Sequence, residues 1–359
     1  MWNSGVGILR LGPGPLRFRG MVGTGGIGHG TFFLIEGSQT LGREESRQGR
    51  FLDRRDYCKL HIVGHYLKAL LGDAMLVYPI GKVGGDDAGR RLRAEMEAVG
   101  LDTRFVETDP AAATLYSFCF LYPDGSGGNL TTADSASGRV DAVQVAAAEG
   151  IAAELGREGI ALAVPEVSLE ARRALVHLAS RYGLFRAASF TRAEIGEARR
   201  SGLLEQLDLL AVNLEEALAA AGISGAPAPG APSSGLVQQA VEAISRAHPQ
   251  LLLSITAGAA GSWSWDGRTL AHDPAAQVRA AGTAGAGDAY LAGLLAGMAA
   301  GLALAESQHL ATLVAGASVL SPHTIHPGMT LDTLRSACCS RRQVFPRVRA
   351  LLDMPMGGS

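Results

Sequence analysis

Short apolar runs alternate with helical patterns along most of this chain, and that alternation restricts the fold more than any other feature. AMLVYPIG is followed by DDAGRRLRAEMEAVG, LDLLAVN by LEEALAAAG, and LLLSITAG precedes GTAGAGDAYLAGLLAGMAAGL. Apolar runs of this kind are buried on both faces, and helices between them make the strands parallel. The expected fold class is α/β, with a mostly parallel central sheet covered by helices on both sides. Ligands in such folds sit beyond the carboxyl ends of the strands, which is where the glycine and polar motifs of this chain fall.

Two regions depart from the pattern. Residues 31–63 and 112–134 carry β-branched and aromatic residues with turn signals at Pro123, Asp124 and Gly125, and lack helical periodicity. They are expected to pair as a small sheet projecting over the main one as a lid. APAPGAPSSG, residues 226–235, reads as a surface loop between two helices. Residues 1–20 hold Arg10, Arg17 and Arg19 among prolines and glycines without a secretory apolar stretch, so a disordered extension is expected, with Met21 a candidate start. A single domain over 21–345 and a C-terminal tail over 346–359 complete the expected organisation.

The net charge of −2, with 18% charged residues and no long basic run, argues against nucleic-acid or polybasic membrane partners and for a small molecule. The cysteines at 58, 119, 338 and 339 have no metal-like or disulfide-framework spacing, which predicts reduced thiols in a cytoplasmic protein. Ala289 to Ala305 is apolar throughout, with Gly293, Gly297 and Gly301 at four-residue spacing. A span usually needs about 20 residues, so a buried helix of a layered fold is expected instead of a membrane crossing.

The chemistry concentrates at Gly285, Ala286, Gly287 and Asp288. Gly285 and Gly287 let a phosphate approach the backbone, and the amides of Ala286 and Gly287, opening a helix, can hold phosphoryl oxygens. Asp288 beside them can accept the proton of an attacking hydroxyl; read alone, it is an ordinary helix cap. Thr256 and Gly258, ending LLLSIT, offer a hydroxyl and an unhindered backbone to nucleotide phosphates, or simply a turn. Asn213 and Glu216 lie at i and i+3 on a first helical turn, which by itself is a capped N-terminus.

Together these residues resemble the ribokinase-like, or PfkB, family of carbohydrate kinases. Thr283 with the tetrad resembles its terminal signature, Asn213 and Glu216 its Asn-x-x-Glu motif, Thr256, Gly258 and Gly261 its Thr-x-Gly-x-x-Gly strand end, and GKVGGDDAG its early glycine motif, in matching order. The resemblance implies a ribokinase-like three-layer α/β/α sandwich with a small β lid. It implies an ATP-dependent kinase acting on an alcohol of a sugar, sugar derivative or nucleoside, with Asp288 as general base. Asn213 and Glu216 would then organise Mg2+, mostly through water. Lid sheets of this kind often mediate dimers in the family, so a homodimer is implied too.

The acceptor half departs from the family. Gly282 stands where an aspartate usually helps shape a monovalent-cation site, so that cation is not carried over. The early Gly-Gly-x-x-x-Asn motif is missing around CKLHIVGHYLKALLG, as is an early aspartate near His29 and Gly30. Glu36, His61, His65, Lys68, Asn129 and Arg192 are the candidate replacement contacts, with Gly28, Gly84 and Gly85 at strand ends near the acceptor. Gly81, Asp86 and Gly89 read as a turn and a helix cap.

Competing patterns are weaker. Gly23, Gly25 and Gly28 spell a dinucleotide fingerprint, but HGTFFLIEG after them reads as a strand, so an NAD(P)-dependent oxidoreductase is the least favoured reading. His61 and His65 have zincin spacing with Ile62 in place of the glutamate. His323 and His326 suit a nucleotide contact or a solvated loop equally. No Walker A sequence is present. A non-catalytic, nucleotide-binding regulatory relative is the remaining alternative, motivated by the rebuilt acceptor half.

Overall fold

A computed structural model of the protein describes residues 7–37, 40–223, 233–338 and 344–353. In chain order its strands are β1 (Gly20–Thr24), β2 (Gly28–Ile35), β3 (Gly49–Tyr57), β4 (Leu76–Gly84), β5 (Val106–Asp109), β6 (Leu115–Leu121) and β7 (Gly127–Thr131). They continue with β8 (Gly159–Ala163), β9 (Phe185–Ala188), β10 (Leu209–Asn213), β11 (Leu252–Thr256), β12 (Ser262–Trp265) and β13 (Leu270–Asp273). The helices begin with α1 (Lys59–Leu71), α2 (Asp87–Ala98), α3 (Ala142–Ala146), α4 (Glu149–Leu155), α5 (Leu169–Tyr182) and α6 (Arg192–Arg200). After these come α7 (Leu214–Ala220), α8 (Ser233–Ala247), α9 (Ala286–Ala299), α10 (Leu304–Ser318), α11 (Leu331–Cys338) and α12 (Pro346–Leu351).

Nine strands form one sheet in the order β13-β12-β11-β10-β9-β8-β1-β4-β5. Neighbours from β5 through β11 pair in parallel, and β12 and β13 close one edge as an antiparallel pair. Successive strand residues alternate between two cores, as a two-residue period requires. Met21, Val77 and Ile160 face the core built by α1, α2 and α9 to α12, while Val22, Tyr78 and Ala161 face the one built by α3 to α8. This is the expected three-layer ribokinase-like α/β/α sandwich. Strand β1 has β4 on one side and β8 on the other, so the chain reverses its winding there and a crevice opens beyond the ends of β1 and β8.

A second sheet, β3-β2-β6-β7, stands over that crevice as the small lid. It is shorter than residues 31–63 suggested, because α1 begins at Lys59. Eleven of the thirteen residues of α1 are buried, so it has no polar stripe to signal a helix. Gly23 lies in β1, Gly25 directly follows it and Gly28 opens β2, so the glycine cluster joins two strands and opens no helix, which removes the basis for a dinucleotide site.

The expectation of a free N-terminal extension is corrected over residues 7–19. Leu9 and Phe18 are buried, Leu9 N donates to Leu70 O at 3.0 Å, and Arg10 N donates to Leu351 O at 2.8 Å. The segment lies between α1 and α12, an arrangement that glycine and proline content does not reveal. Val348, Leu351 and Leu352 join the same core, so residues 346–352 are part of the domain and not a tail. Within the proposed loop at 226–235, residues 226–232 fall outside the described residues, and α8 begins at Ser233.

No helix among the described residues is long and apolar enough to cross a membrane. The glycine spacing in α9 serves helix packing. A Cβ on Gly293 would lie 2.8 Å from Ala311 Cα and one on Gly297 2.9 Å from Ser307 Cα, both on α10. Cys58, Cys119 and Cys338 are buried free thiols, and Cys339 lies outside the described residues.

Candidate active site

Helix α9 starts at the rim of the crevice. Gly285 caps it with φ 77°, in the left-handed region that suits glycine. A Cβ there would also lie 2.7 Å from Thr324 O. Of the amides opening the helix, Ala286 N already donates to Thr283 O at 3.2 Å, and Asp288 N and Ala289 N both donate to Gly285 O. This corrects the expectation that Ala286 shares in anion binding. The Gly287 N–H has no acceptor among the described residues, and a Cβ built on Gly287 meets nothing within 4 Å. One open donor in open space, at the positive end of a buried helix, has the chemistry to receive an anion.

Asp288 follows on the first turn, half-buried, with Oδ1 3.1 Å from Lys59 Nζ. Lys59 opens α1 and also donates to Ser189 Oγ at 3.1 Å. Ser189 is held in turn by the fully buried Arg172, whose Nη2 donates to Ser189 O at 2.8 Å and whose Nη1 lies 3.2 Å from Glu194. Burial would lower the Lys59 ammonium, but the Asp288 and Glu216 carboxylates more than offset it and hold the group above the ordinary lysine value. Lys59 is therefore a fixed cation between two helix N-termini. Sequence reading missed it because CKLH belongs to no motif; its placement on a first helical turn beyond a lid strand was the available signal.

Two cavities meet at this pair. A small one of about 90 Å³ is lined by Lys59, Asn213, Glu216, Thr256, Gly287 and Tyr290, among others. Asn213 and Glu216 make a reciprocal cap there: Glu216 N donates to Asn213 Oδ1 and Asn213 N to Glu216 Oε2, both at 2.9 Å. The capping interpretation is thus realised, while burial raises the Glu216 carboxyl beside Lys59. Thr256 pairs in register with Asn213 across β10 and β11. Gly258 and Gly261 both take positive φ in the turn that follows, which makes the strand end a tight backbone loop.

The larger cavity, about 850 Å³, lies between the lid, the start of α1, Glu166 beyond β8 and the turn that opens α9. Thr283, Gly285 and Asp288 line one wall, Asn129 and Asp56 the lid side, and Glu166 the floor. Asn129 Oδ1 accepts from buried Ser117 Oγ at 2.6 Å. Asp56 is buried and its carboxyl is raised by desolvation, against hydrogen bonds from Cys119 and Ser117. Its Oδ2 occupies the space beside Gly30, where a Cβ would come within 2.6 Å. The neighbouring strand β3 thus places a carboxylate beside Gly30, where β2 carries none of its own.

Glu166 follows β8 with φ 75°, a strained backbone for a non-glycine residue. Its Oε2 is sealed from solvent without a hydrogen-bond partner, and burial lifts its carboxyl to about 7. That oxygen packs toward Gly26, where a Cβ would clash with it, while the residue as a whole lines the large cavity. Neither Asp56 nor Glu166 stands in a motif, and only strand pairing and the switch point bring them together.

Most other candidate acceptor contacts lie elsewhere. Lys68 is buried at the far end of α1, bonded to Asp73 Oδ1 and Met75 O at 3.2 Å each. Glu36 is exposed at the far end of β2. Arg192 pairs with Glu215 at 3.4 Å on the surface. Gly84 donates to Thr114 Oγ1 at 2.9 Å and Gly28 packs on Leu115, while Gly85 abuts Pro110, so these glycines serve close backbone packing. Asp86 caps α2 as expected, accepting from Gly89 N at 2.8 Å, and also accepts from Thr114.

His61 and His65 line a different cavity, with Tyr57, Glu95 and His323. His323 Nδ1 accepts from Arg55 N at 3.0 Å, and His326 Nδ1 from Gly328 N at 2.9 Å. The loop carrying them binds the lid. Thr324 N donates to Arg55 O at 3.1 Å and Tyr57 N to Thr324 Oγ1 at 3.0 Å, while Thr324 O presses on Gly285. Among the described residues no three His, Cys, Asp or Glu side chains converge as a metal site.

Comparison with known proteins identifies the family and the fold. Residues 66–331 match the model of the pfkB family of carbohydrate kinases. The fold is similar to that of a ribokinase from Giardia lamblia, with a TM-score of 0.73 at 16% identity over 88% of this chain and 97% of that one. A ribokinase from Cryptococcus neoformans var. grubii serotype A, solved with ADP, gives 0.69 at 18% identity over 89% and 99%. A nucleoside kinase from Burkholderia thailandensis, solved with inosine, gives 0.69 at 19% identity over 90% and 99%. With the family model covering most of its length, the chain belongs to the pfkB family of carbohydrate kinases.

Proposed function

We propose that the protein transfers the γ-phosphoryl group of ATP to a hydroxyl of a sugar, sugar derivative or nucleoside held under the lid. The observation that carries this reading is the junction of the two cavities. On one side Gly287 offers an open N–H to a phosphoryl group; on the other Asp288 faces a cleft lined by acceptor-binding polar groups.

The hydroxyl oxygen forms a bond to the γ-phosphorus while the bond to the bridging oxygen breaks and ADP departs. Asp288 takes the hydroxyl proton. The Gly287 amide and Lys59 face the charge that spreads over the transferred group, and their fixed positions spare reorganisation at that moment. Asp56, Glu166 and Asn129, which line the cleft, hold the acceptor's other hydroxyls. Thr256 and the Gly258 turn lie toward the donor phosphates, and the ribokinase from Cryptococcus neoformans solved with ADP supports an adenine nucleotide as the donor.

Glu216 is the one carboxylate at the small cavity suited to magnesium, with Asn213 beside it. That donor set fits an ion held mostly by phosphate oxygens and water and not by a protein cage. Bound there, magnesium would neutralise phosphate charge.

The test is ADP release with ATP, Mg2+ and a panel of sugars, sugar derivatives and nucleosides. Wild type is expected to turn over at least one acceptor, and Asp288→Asn to lower kcat by about 10²- to 10⁴-fold with an unchanged melting temperature. Tight ATP binding without turnover of any acceptor would assign the protein to the non-catalytic class instead.

A further inference from the structure

The inner end of the large cleft is rich in carboxylates, but its outer wall is cationic. Strand β3 turns alternate residues into the cleft, so Arg50, Leu52, Arg54 and Asp56 all line it. The opposite row faces away: Asp53 and Arg55 line the histidine cavity, and Arg55 lies 4.0 Å from Glu95. Arg50 and Arg54 have no acidic partner among the described residues. Arg54 is half-buried, its guanidinium carbon 6.0 Å from the centroid of Phe32, another lining residue. The one acid on the outer wall, Asp124, already accepts from Ser126 N and Ser126 Oγ.

Spacing along the strand gives these cations a target. The register of β2 and β3 shifts between the Gly30–Asp56 and Phe32–Leu52 pairs, so residues 53–55 bulge, yet Arg54 and Asp56 both line the cleft. One side-chain repeat on a strand is roughly 7 Å, about the span of a sugar ring. An acceptor whose hydroxyls meet Asp56 therefore brings its far end to Arg54, with Arg50 further out on the same row. A guanidinium fork matches the paired oxygens of a carboxylate or phosphate. At the inner end Lys59 is already paired with Asp288, so among the described residues the unpaired cations of the cleft are the outer arginines, which favours the orientation with the reacting hydroxyl inward.

Building on the kinase reading above, we propose that the acceptor is an anionic polyol. It is a sugar-sized molecule carrying a carboxylate or phosphate at the end remote from the hydroxyl that is phosphorylated, with that anion held by Arg54 and Arg50. The remote group is unchanged by the reaction, in which the hydroxyl oxygen gains the γ-phosphoryl, its proton passes to Asp288 and ADP leaves. A neutral sugar or nucleoside leaves both guanidinium groups without a partner.

The experiment measures ADP release by the full chain with three acceptor sets: neutral sugars and nucleosides, sugar acids, and sugar monophosphates. One anionic set is expected to exceed the neutral set in kcat/KM by about 100-fold, and which set does so identifies the anion. Arg54→Gln is expected to shrink that preference by about 10- to 100-fold through KM, the loss of one or two charge-assisted hydrogen bonds. Arg54→Lys recovers part of it, and melting temperatures verify folding. A best acceptor that is neutral, or an anionic preference that survives the Arg50→Gln, Arg54→Gln double change, overturns the proposal and leaves the kinase reading intact. No turnover in any set overturns both.

Discussion

Lys59 Nζ sits 3.1 Å from Asp288 Oδ1, so the first turns of α1 and α9 are joined by one ion pair at the point where the two cavities meet. The pair places a cation within reach of both the base and the open Gly287 amide. Replacing Lys59 by Met keeps most of its apolar stem and removes only the charge. It is expected to lower kcat by about 10²- to 10³-fold, the cost of losing one fixed donor to a charged transition state, as read by ADP release. A fall of less than threefold would mean that Lys59 only pins the helices together.

Gly285 and Gly287 separate two uses of glycine. Gly285→Ala forces a side chain onto φ 77° and against Thr324 O, and is expected to cost about 1–3 kcal/mol of stability, visible in urea denaturation. Gly287→Ala meets open space inside a helix, where alanine is favoured by about 1 kcal/mol. That variant is expected to melt no lower than wild type while losing at least about 100-fold in kcat, because its methyl fills the place of the transferred group. Full activity in Gly287→Ala would remove the anion position from the mechanism.

Burial pushes His61 down to about 3 and His65 to about 4 from an ordinary value of 6.5. The unfolded chain binds protons there that the folded chain refuses. Their contribution to stability is therefore full above pH 6.5 and is lost as pH falls toward 3 to 4. Glu166 runs the other way: its carboxyl stays protonated up to about 7 in the fold and ionises near 4.5 when unfolded, so its contribution fades as pH rises between those values. His61→Leu is expected to flatten the acid limb, with a smaller drop in urea midpoint from pH 6.5 to pH 5 than wild type. Glu166→Gln is expected to steepen the net loss on acidification, since the opposing group is gone. Parallel acid limbs in all three proteins would refute the assignment.

The parallel sheet was legible because strands such as β4 and β10 are apolar runs with a helix after them, and the start of α9 because the glycines and the acid that open it are adjacent in sequence. Asp56 and Glu166 were not legible. Asp56 reaches the cleft through the pairing of β2 with β3, and Glu166 through the position of β8 beside β1, neither of which leaves a local pattern. Lys68 and Arg192 misled for the converse reason: polarity marks a residue as needing partners without saying where those partners are. Helices α1 and α9 are buried nearly all round, so periodicity could not show which of their faces meets the cleft.

Thr324 gives the lid and the phosphate end a common mechanical element. Its backbone amide and hydroxyl engage Arg55 and Tyr57 on β3, while its carbonyl abuts Gly285. A displacement of β3 large enough to break those bonds also releases the loop that presses on the turn opening α9. The opening of the cleft under the lid and the rigidity of the turn that starts α9 are thus tied to the same residue, so an open cleft is also one in which that turn is less firmly held.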